Sequence, residues 1–194
     1  MNFLAHIYLS GEDEGITIGN FIADGIKGKK YLKYPASIQK GILLHRAIDS
    51  YTDHHPTVRQ STKRLHEKHG HYSGVVVDIL YDHFLAKNWN KYHDTPLEQY
   101  VTNFYEMLQD NYAMLPERIQ RMMPYMMADN WLLSYATVPG ISKILTQMNE
   151  RVKGRSNMNF AVIELKEFYD EFEQEFTSFF EELRAYCHEK LDTL

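Results

Sequence analysis

The sequence has a single cysteine, Cys187, so no intrachain disulfide and no multi-cysteine zinc site can form. No uncharged apolar run approaches the ~18 residues needed to span a bilayer. Val- and Thr-rich alternating segments bounded by turn dipeptides are missing too, which removes the usual signature of a sheet. The opening stretch, "MNFLAHIYLSGEDEG", has no basic start and turns acidic after a short apolar run, unlike a secretory signal. A cytoplasmic protein is therefore expected, with no membrane partner. There is no internal repeat and no low-complexity linker. An excess of positive charge is also lacking: the net charge of −5 argues against a nucleic-acid partner.

What remains is a chain of 194 residues, 44% of them hydrophobic, enough for one domain (1–194) with a substantial core. Its charge is uneven. Residues 1–95 hold 12 Lys and Arg against 10 Asp and Glu, and residues 96–194 hold 9 against 16. The positive charge gathers in "KGKKYLK" (Lys27, Lys29, Lys30, Lys33), which reads either as a solvated loop or as a docking patch for an acidic partner.

The periodicity is helical almost throughout. Helices are expected over residues 2–9, over "ITIGNFIADGIKG", from Pro35 to His54, from Thr57 to Lys68 and from Gly74 to Trp89, with "HGHYSG" a loop. Thr95 is expected to cap a helix opening at Pro96, and Pro116 and Pro139 to open two more. The last element, "NFAVIELKEFYDEFEQEFTSFFEELRAY", reads as one long amphipathic helix with Phe168, Phe172, Phe176 and Phe180 on its apolar stripe. The fold class that follows is all-α, a single-domain helical bundle with a long amphipathic C-terminal helix. Whether it is a monomer or a homodimer is left open.

Several of the apolar stripes are interrupted by titratable groups. In "GILLHRAIDSYTDHH" the face Ile38, Ile42, His45, Asp49, Thr52 begins apolar and then carries an imidazole and a carboxylate one turn apart. In "VVVDILYDHFLAKNW", Asp78 and Asp82 lie four apart among Val75, Leu85 and Trp89, with His83 beside them. Two carboxylates so placed repel and lose solvation unless a cation, a shared proton or water relieves them. Asn20 and Asp24 repeat the pattern in "GNFIADGIKG", and His6 sits in the apolar "NFLAHIYL". Each instance alone is consistent with a solvent-facing stripe or a satisfied core residue. Together they allow helices to aim His6, Asn20, Asp24, His45, Asp49, Asp78, Asp82 and His83 at one centre, as carboxylate-rich metal bundles do.

Such a set suits one or two divalent ions, Mg, Mn or Fe rather than structural zinc, and the chemistry that follows is attack of activated water on phosphorus. Arg46, beside His45, is expected to hold a phosphate oxygen or to form a surface salt bridge. Asp53 shares the face of Asp49. His54 and His55 at the helix end, and His66, His69 and His71 in "HEKHGHY", read as exposed.

The blocks "MNFLAHIYLS", "GNFIADGIKG", "GILLHRAIDSYTDHHP", "DILYDHFLAKNW" and "MMADNWLLSY", together with the aromatic-acidic last helix, resemble the acyl carrier protein phosphodiesterases along essentially the whole chain. That family is described as a divergent, all-helical branch of the HD-type metal-dependent phosphohydrolases without the usual His-Asp doublet. Here the matching block carries Asp82-His83 in the reverse order. The resemblance implies hydrolysis of the phosphodiester joining 4′-phosphopantetheine to a serine of holo-acyl carrier protein, with Mn²⁺ or Mg²⁺ as cofactor.

It places Asp24, His45, Asp49, Asp78, Asp82 and His83 at the site, with His6 and Asn20 as lesser members. The expected division gives the metal to Asp24, His45, Asp78 and Asp82, the role of base or orienter to Asp49 or His83, and the phosphate to Arg46. The acidic holo-carrier would land on Lys27, Lys29, Lys30 and Lys33 with Arg46, Arg59, Lys63 and Arg64. Two other readings compete: a hydrolase of nucleotides or small phosphoesters, and a non-catalytic carrier-protein-binding helical protein.

Overall fold

The computed structural model describes residues 1–194 and contains helices and turns but no strand. Eleven α-helices follow in order: α1 (Phe3–Tyr8), α2 (Glu14–Ile22), α3 (Ala36–His54), α4 (Pro56–His69), α5 (Ser73–Lys87), α6 (Leu97–Asp110), α7 (Glu117–Ala128), α8 (Trp131–Ser134), α9 (Val138–Arg151), α10 (Ala161–Glu167) and α11 (Tyr169–Thr193). No helix is long and apolar enough to cross a membrane.

The centre of the bundle is α5. Ile79, Leu80, Tyr81, Phe84 and Leu85 are all fully buried, so the helix is enclosed on every side from Ile79 to Leu85, and it packs on α1, α4, α9 and α11. The long α11 lies along α3, α4 and α5 and supplies Phe172, Phe176, Phe179 and Phe180 to the core. The aromatic stripe is the packing face expected of it.

The closest pairing joins α2 to α3 through two glycines. A Cβ on Gly41 would overlap the carbonyl oxygen of Ile16, and one on Gly19 would overlap that of Ile38. Backbone thus meets backbone, and this brings Asn20 against His45.

Several boundaries differ from expectation. The second helix starts earlier, because the Asp13 carboxylate caps it by accepting from the Ile16 N–H at 2.9 Å. It ends at Ile22, with short 3₁₀ turns at Ala23–Gly25 and Gly28–Lys33. Thr95 does not cap α6; Pro96 occupies that position without a side-chain bond. The expected long last helix is broken at Phe168 (φ −117°, ψ 36°), because α10 packs against α9 and α4 while α11 takes a different axis across α3 to α5. Of "HGHYSG", His69 ends α4, Gly70–Tyr72 form a 3₁₀ turn, and Ser73 already opens α5.

Candidate active site

Three helices bring the central cluster together. His6 near the end of α1, Asn20 on α2, and His45 and Asp49 on α3 converge, with Asp24 arriving on the 3₁₀ turn after α2. The rings of His6 and His45 stack at 4.0 Å, 19° from parallel. Asp49 spans both: its Oδ1 is 3.2 Å from His6 Nε2 and its Oδ2 is 3.1 Å from His45 Nε2. Asp24 Oδ1 lies 3.3 Å from the same His45 nitrogen.

Asn20 fixes how the two imidazoles face. Its Nδ2 donates to the His6 carbonyl at 2.8 Å and to Ser10 Oγ at 2.9 Å, so its Oδ1 must be the acceptor. His6 Nδ1–H donates to that Oδ1 at 2.8 Å, and His45 Nδ1–H donates to the Asn20 main-chain carbonyl at 2.8 Å. Both Nε2 atoms are thereby turned towards the carboxylates, the arrangement in which an outer partner orients metal-ligating histidines.

The electrostatics follow from this geometry. Burial drives the His6 pKa down to about 4, against the pull of Asp49. Burial acts on His45 in the same direction but is outweighed by hydrogen bonds to Asp24 and Asp49, and His45 rises to about 9. Asp49 also loses solvation, yet the two imidazoles hold its carboxyl well below the usual range. Asp24 is lowered mainly by its bond to His45. His6, His45 and Asp49 offer three ligand atoms within 4.8 Å of one another.

The cluster opens into a cleft of about 370 Å³. Asp53 and Asp78 add two further carboxylates to its wall. Asp78 Oδ1 accepts from the Met1 ammonium group at 2.8 Å. Opposite stand residues that the helical pattern alone did not single out: Arg118 and Met122 on α7, Trp131 opening α8, and Gln147, Met148 and Arg151 on α9. The one pointer to them was the block "MMADNWLLSY", which contains Trp131.

Three expected site residues have other duties. Asp82 is fully buried and accepts from the N–H groups of Asn2 (3.0 Å), Leu4 (2.7 Å) and Ala5 (3.3 Å), which satisfies the first turn of α1. Its oxygens are taken by backbone and it does not line the cleft, which removes it from the ligand set. His83 donates from Nδ1 to the Tyr135 carbonyl at 2.7 Å, and its Nε2 meets the Tyr169 hydroxyl at 2.8 Å, away from the cluster. Arg46 donates to the carbonyls of Ile26 (2.9 Å) and Gly28 (2.8 Å) and stacks over Tyr31, so it braces the lysine-rich turn rather than facing the cleft.

The other histidines divide. His54 is exposed as expected, but His55 is buried beside Glu182 at 3.2 Å. His69 is buried beside Glu164, because α10 closes over the end of α4. The chain's one His-Asp doublet, His93-Asp94, lies before α6, with His93 stacked on Trp89 and outside the cleft. Lys27, Lys29, Lys30 and Lys33 are exposed, whereas Arg64 is held bidentately by Glu175 at 2.7 Å.

A family model described as acyl carrier protein phosphodiesterase matches residues 1–183. A protein of that name from Pectobacterium atrosepticum is 32% identical over 181 residues, covering 93% of this chain and 94% of its own. Its namesake from Photorhabdus laumondii is 29% identical over 181 residues, covering 93% of this chain and 91% of its own. That from an Escherichia coli strain is 28% identical over 191 residues, covering 98% and 99%. No solved structure matches.

Proposed function

The chain belongs to the acyl carrier protein phosphodiesterase family, and from that membership we propose that its cleft hydrolyses the phosphodiester by which 4′-phosphopantetheine is attached to a serine of holo-acyl carrier protein. Water adds to phosphorus, the bond from phosphorus to the serine oxygen breaks, and the serine oxygen leaves with a proton. The products are apo-carrier protein and 4′-phosphopantetheine. The observation that carries this reading is the convergence of His6, His45, Asp49 and Asp24 in one cleft.

The donor set fits a divalent transition-metal ion such as Mn²⁺ better than Mg²⁺, which favours oxygen ligands alone. Two Nε2 atoms turned inward by Asn20 and a carboxylate between them supply mixed nitrogen and oxygen ligands, and Asp24 stands next to them. An ion held there lowers the pKa of a water and neutralises phosphate charge. His6, His45 and Asp49 are the ligands on this reading, Asn20 keeps both rings in register, and Asp24, the most exposed of the group, takes the proton from water. The histidine–aspartate cluster in an all-helical bundle also supports kinship with the HD-type phosphohydrolases.

The acidic carrier docks on the exposed turn of Lys27, Lys29, Lys30 and Lys33, which leads directly from Asp24 and is braced from below by Arg46. The test is the intact mass of a holo-carrier protein incubated with the purified chain and Mn²⁺ or Mg²⁺. Loss of the 4′-phosphopantetheine mass is expected. Reversing the charge of Lys29, Lys30 and Lys33 should slow that conversion far more than hydrolysis of a small phosphodiester. Absence of conversion with any divalent ion would refute the enzyme reading, and equal losses on both substrates would remove the lysines from docking.

A further inference from the structure

The wall of the cleft opposite the cluster has its own chemistry. On α9, Ile144, Gln147, Met148 and Arg151 follow at spacings of three and four and so form one helical face, which lines the cleft. On α7, Arg118 and Met122 do the same at a spacing of four. This wall alternates apolar surface with one amide and two guanidinium groups. Neither arginine has a carboxylate partner, whereas Arg121 and Lys143 on the same two helices are paired to Glu117 and Asp129. Arg151 is exposed but stacks over Trp131 at 5.1 Å, which keeps its guanidinium beside the cleft.

The opposing wall is the reverse in charge. Asp24, Asp49, Asp53 and Asp78 all line it; His45 stands against Asp24 and Asp49 and the Met1 ammonium against Asp78, so the cations on this side are already engaged by carboxylates. With Arg46 committed to backbone carbonyls, Arg118 and Arg151 are the guanidinium groups the cleft provides.

We propose that the α7–α9 wall is the binding surface for the 4′-phosphopantetheine arm itself, with Arg118 and Arg151 holding its phosphate. Gln147 meets an amide of the arm, and Met122, Ile144 and Met148 cover its aliphatic carbons. This rests on the hydrolase reading only for the identity of the ligand. Planar guanidinium groups suit phosphate oxygens. An amphipathic arm with a charged end, two amides and a branched aliphatic segment matches a wall that is apolar between a few placed polar groups. The carrier protein then remains outside, on the lysine side, and the arm points inward past the cluster.

The experiment is calorimetric titration of the Mn²⁺-loaded chain with free 4′-phosphopantetheine and, separately, with pantetheine, which lacks the phosphate. Wild type should bind the phosphorylated ligand more tightly. Arg118→Ala and Arg151→Ala, both at exposed positions, should each weaken 4′-phosphopantetheine about tenfold and leave pantetheine within twofold. Met148→Ala should weaken both ligands. No binding of 4′-phosphopantetheine by wild type, or equal effects of the arginine changes on the two ligands, would overturn the proposal. A chain that shows this binding pattern yet does not convert holo-carrier would refute the hydrolase reading alone. Conversion by wild type, with binding unchanged in both arginine variants, would refute the wall alone.

Discussion

Asp49 and Asp82 sit in similar settings, each on a helix face that otherwise runs apolar, yet they do opposite things. Asp49 is partly open, bridges two histidines and keeps its charge because they draw its pKa down. Asp82 is closed in and holds the first turn of α1 by three backbone N–H groups. No residue spacing distinguishes the two, since what separates them is the arrival of a helix from 75 residues or more upstream. Replacing Asp82 by Ala strands buried donors at Leu4 and Ala5. Each buried unpaired group costs about 1–3 kcal/mol, so the variant should lose about 3 kcal/mol of unfolding free energy in a urea titration. A loss below about 1 kcal/mol would show that water or another acceptor serves the α1 terminus.

At the scale of elements, the α2–α3 pair carries the site. Gly19 and Gly41 let the two backbones touch, and only at that separation does the Asn20 carbonyl reach His45. Gly41→Ala forces the helices apart and should cost about 1–3 kcal/mol, as overpacking does. Thermal denaturation followed by circular dichroism should show a lower midpoint with unchanged helical content, while turnover falls as His45 loses its orientation. An unaltered midpoint would mean the helices separate without strain.

Much of this level was legible in the sequence: the helical period, the aromatic packing stripe of α11 and the His45–Asp49 step on α3 all stand where the pattern placed them. What was hidden depended on contacts between distant helices. The break at Phe168, the Asp13 cap and the burial of His55 and His69 leave little trace in local periodicity. The arginines of α7 and α9 escaped notice because exposed arginines on amphipathic helices look alike until a cleft gathers them.

Across the whole molecule, charge is divided by location as well as by sequence. The N-terminal helices contribute the histidine–carboxylate cluster and the exposed lysines, whereas the α7–α9 region closes the cleft from the other side with arginine, tryptophan and methionine. On the proposed reading this arrangement offers the substrate a docking surface, a reactive centre and an inner wall in one path. The family model and the relatives extend over nearly the whole chain, the segments on both sides of the cleft included. The central claim is that the cluster spanned by Asp49 performs the hydrolysis. The direct measurement is the rate at which Asp49→Asn converts holo- to apo-carrier protein, followed by intact mass beside wild type with helical content checked for both. The variant should retain its helices and lose about 10²–10³-fold in rate, the scale of removing one electrostatic group from a reacting centre. A folded Asp49→Asn variant that strips the prosthetic group at near the wild-type rate would contradict the claim.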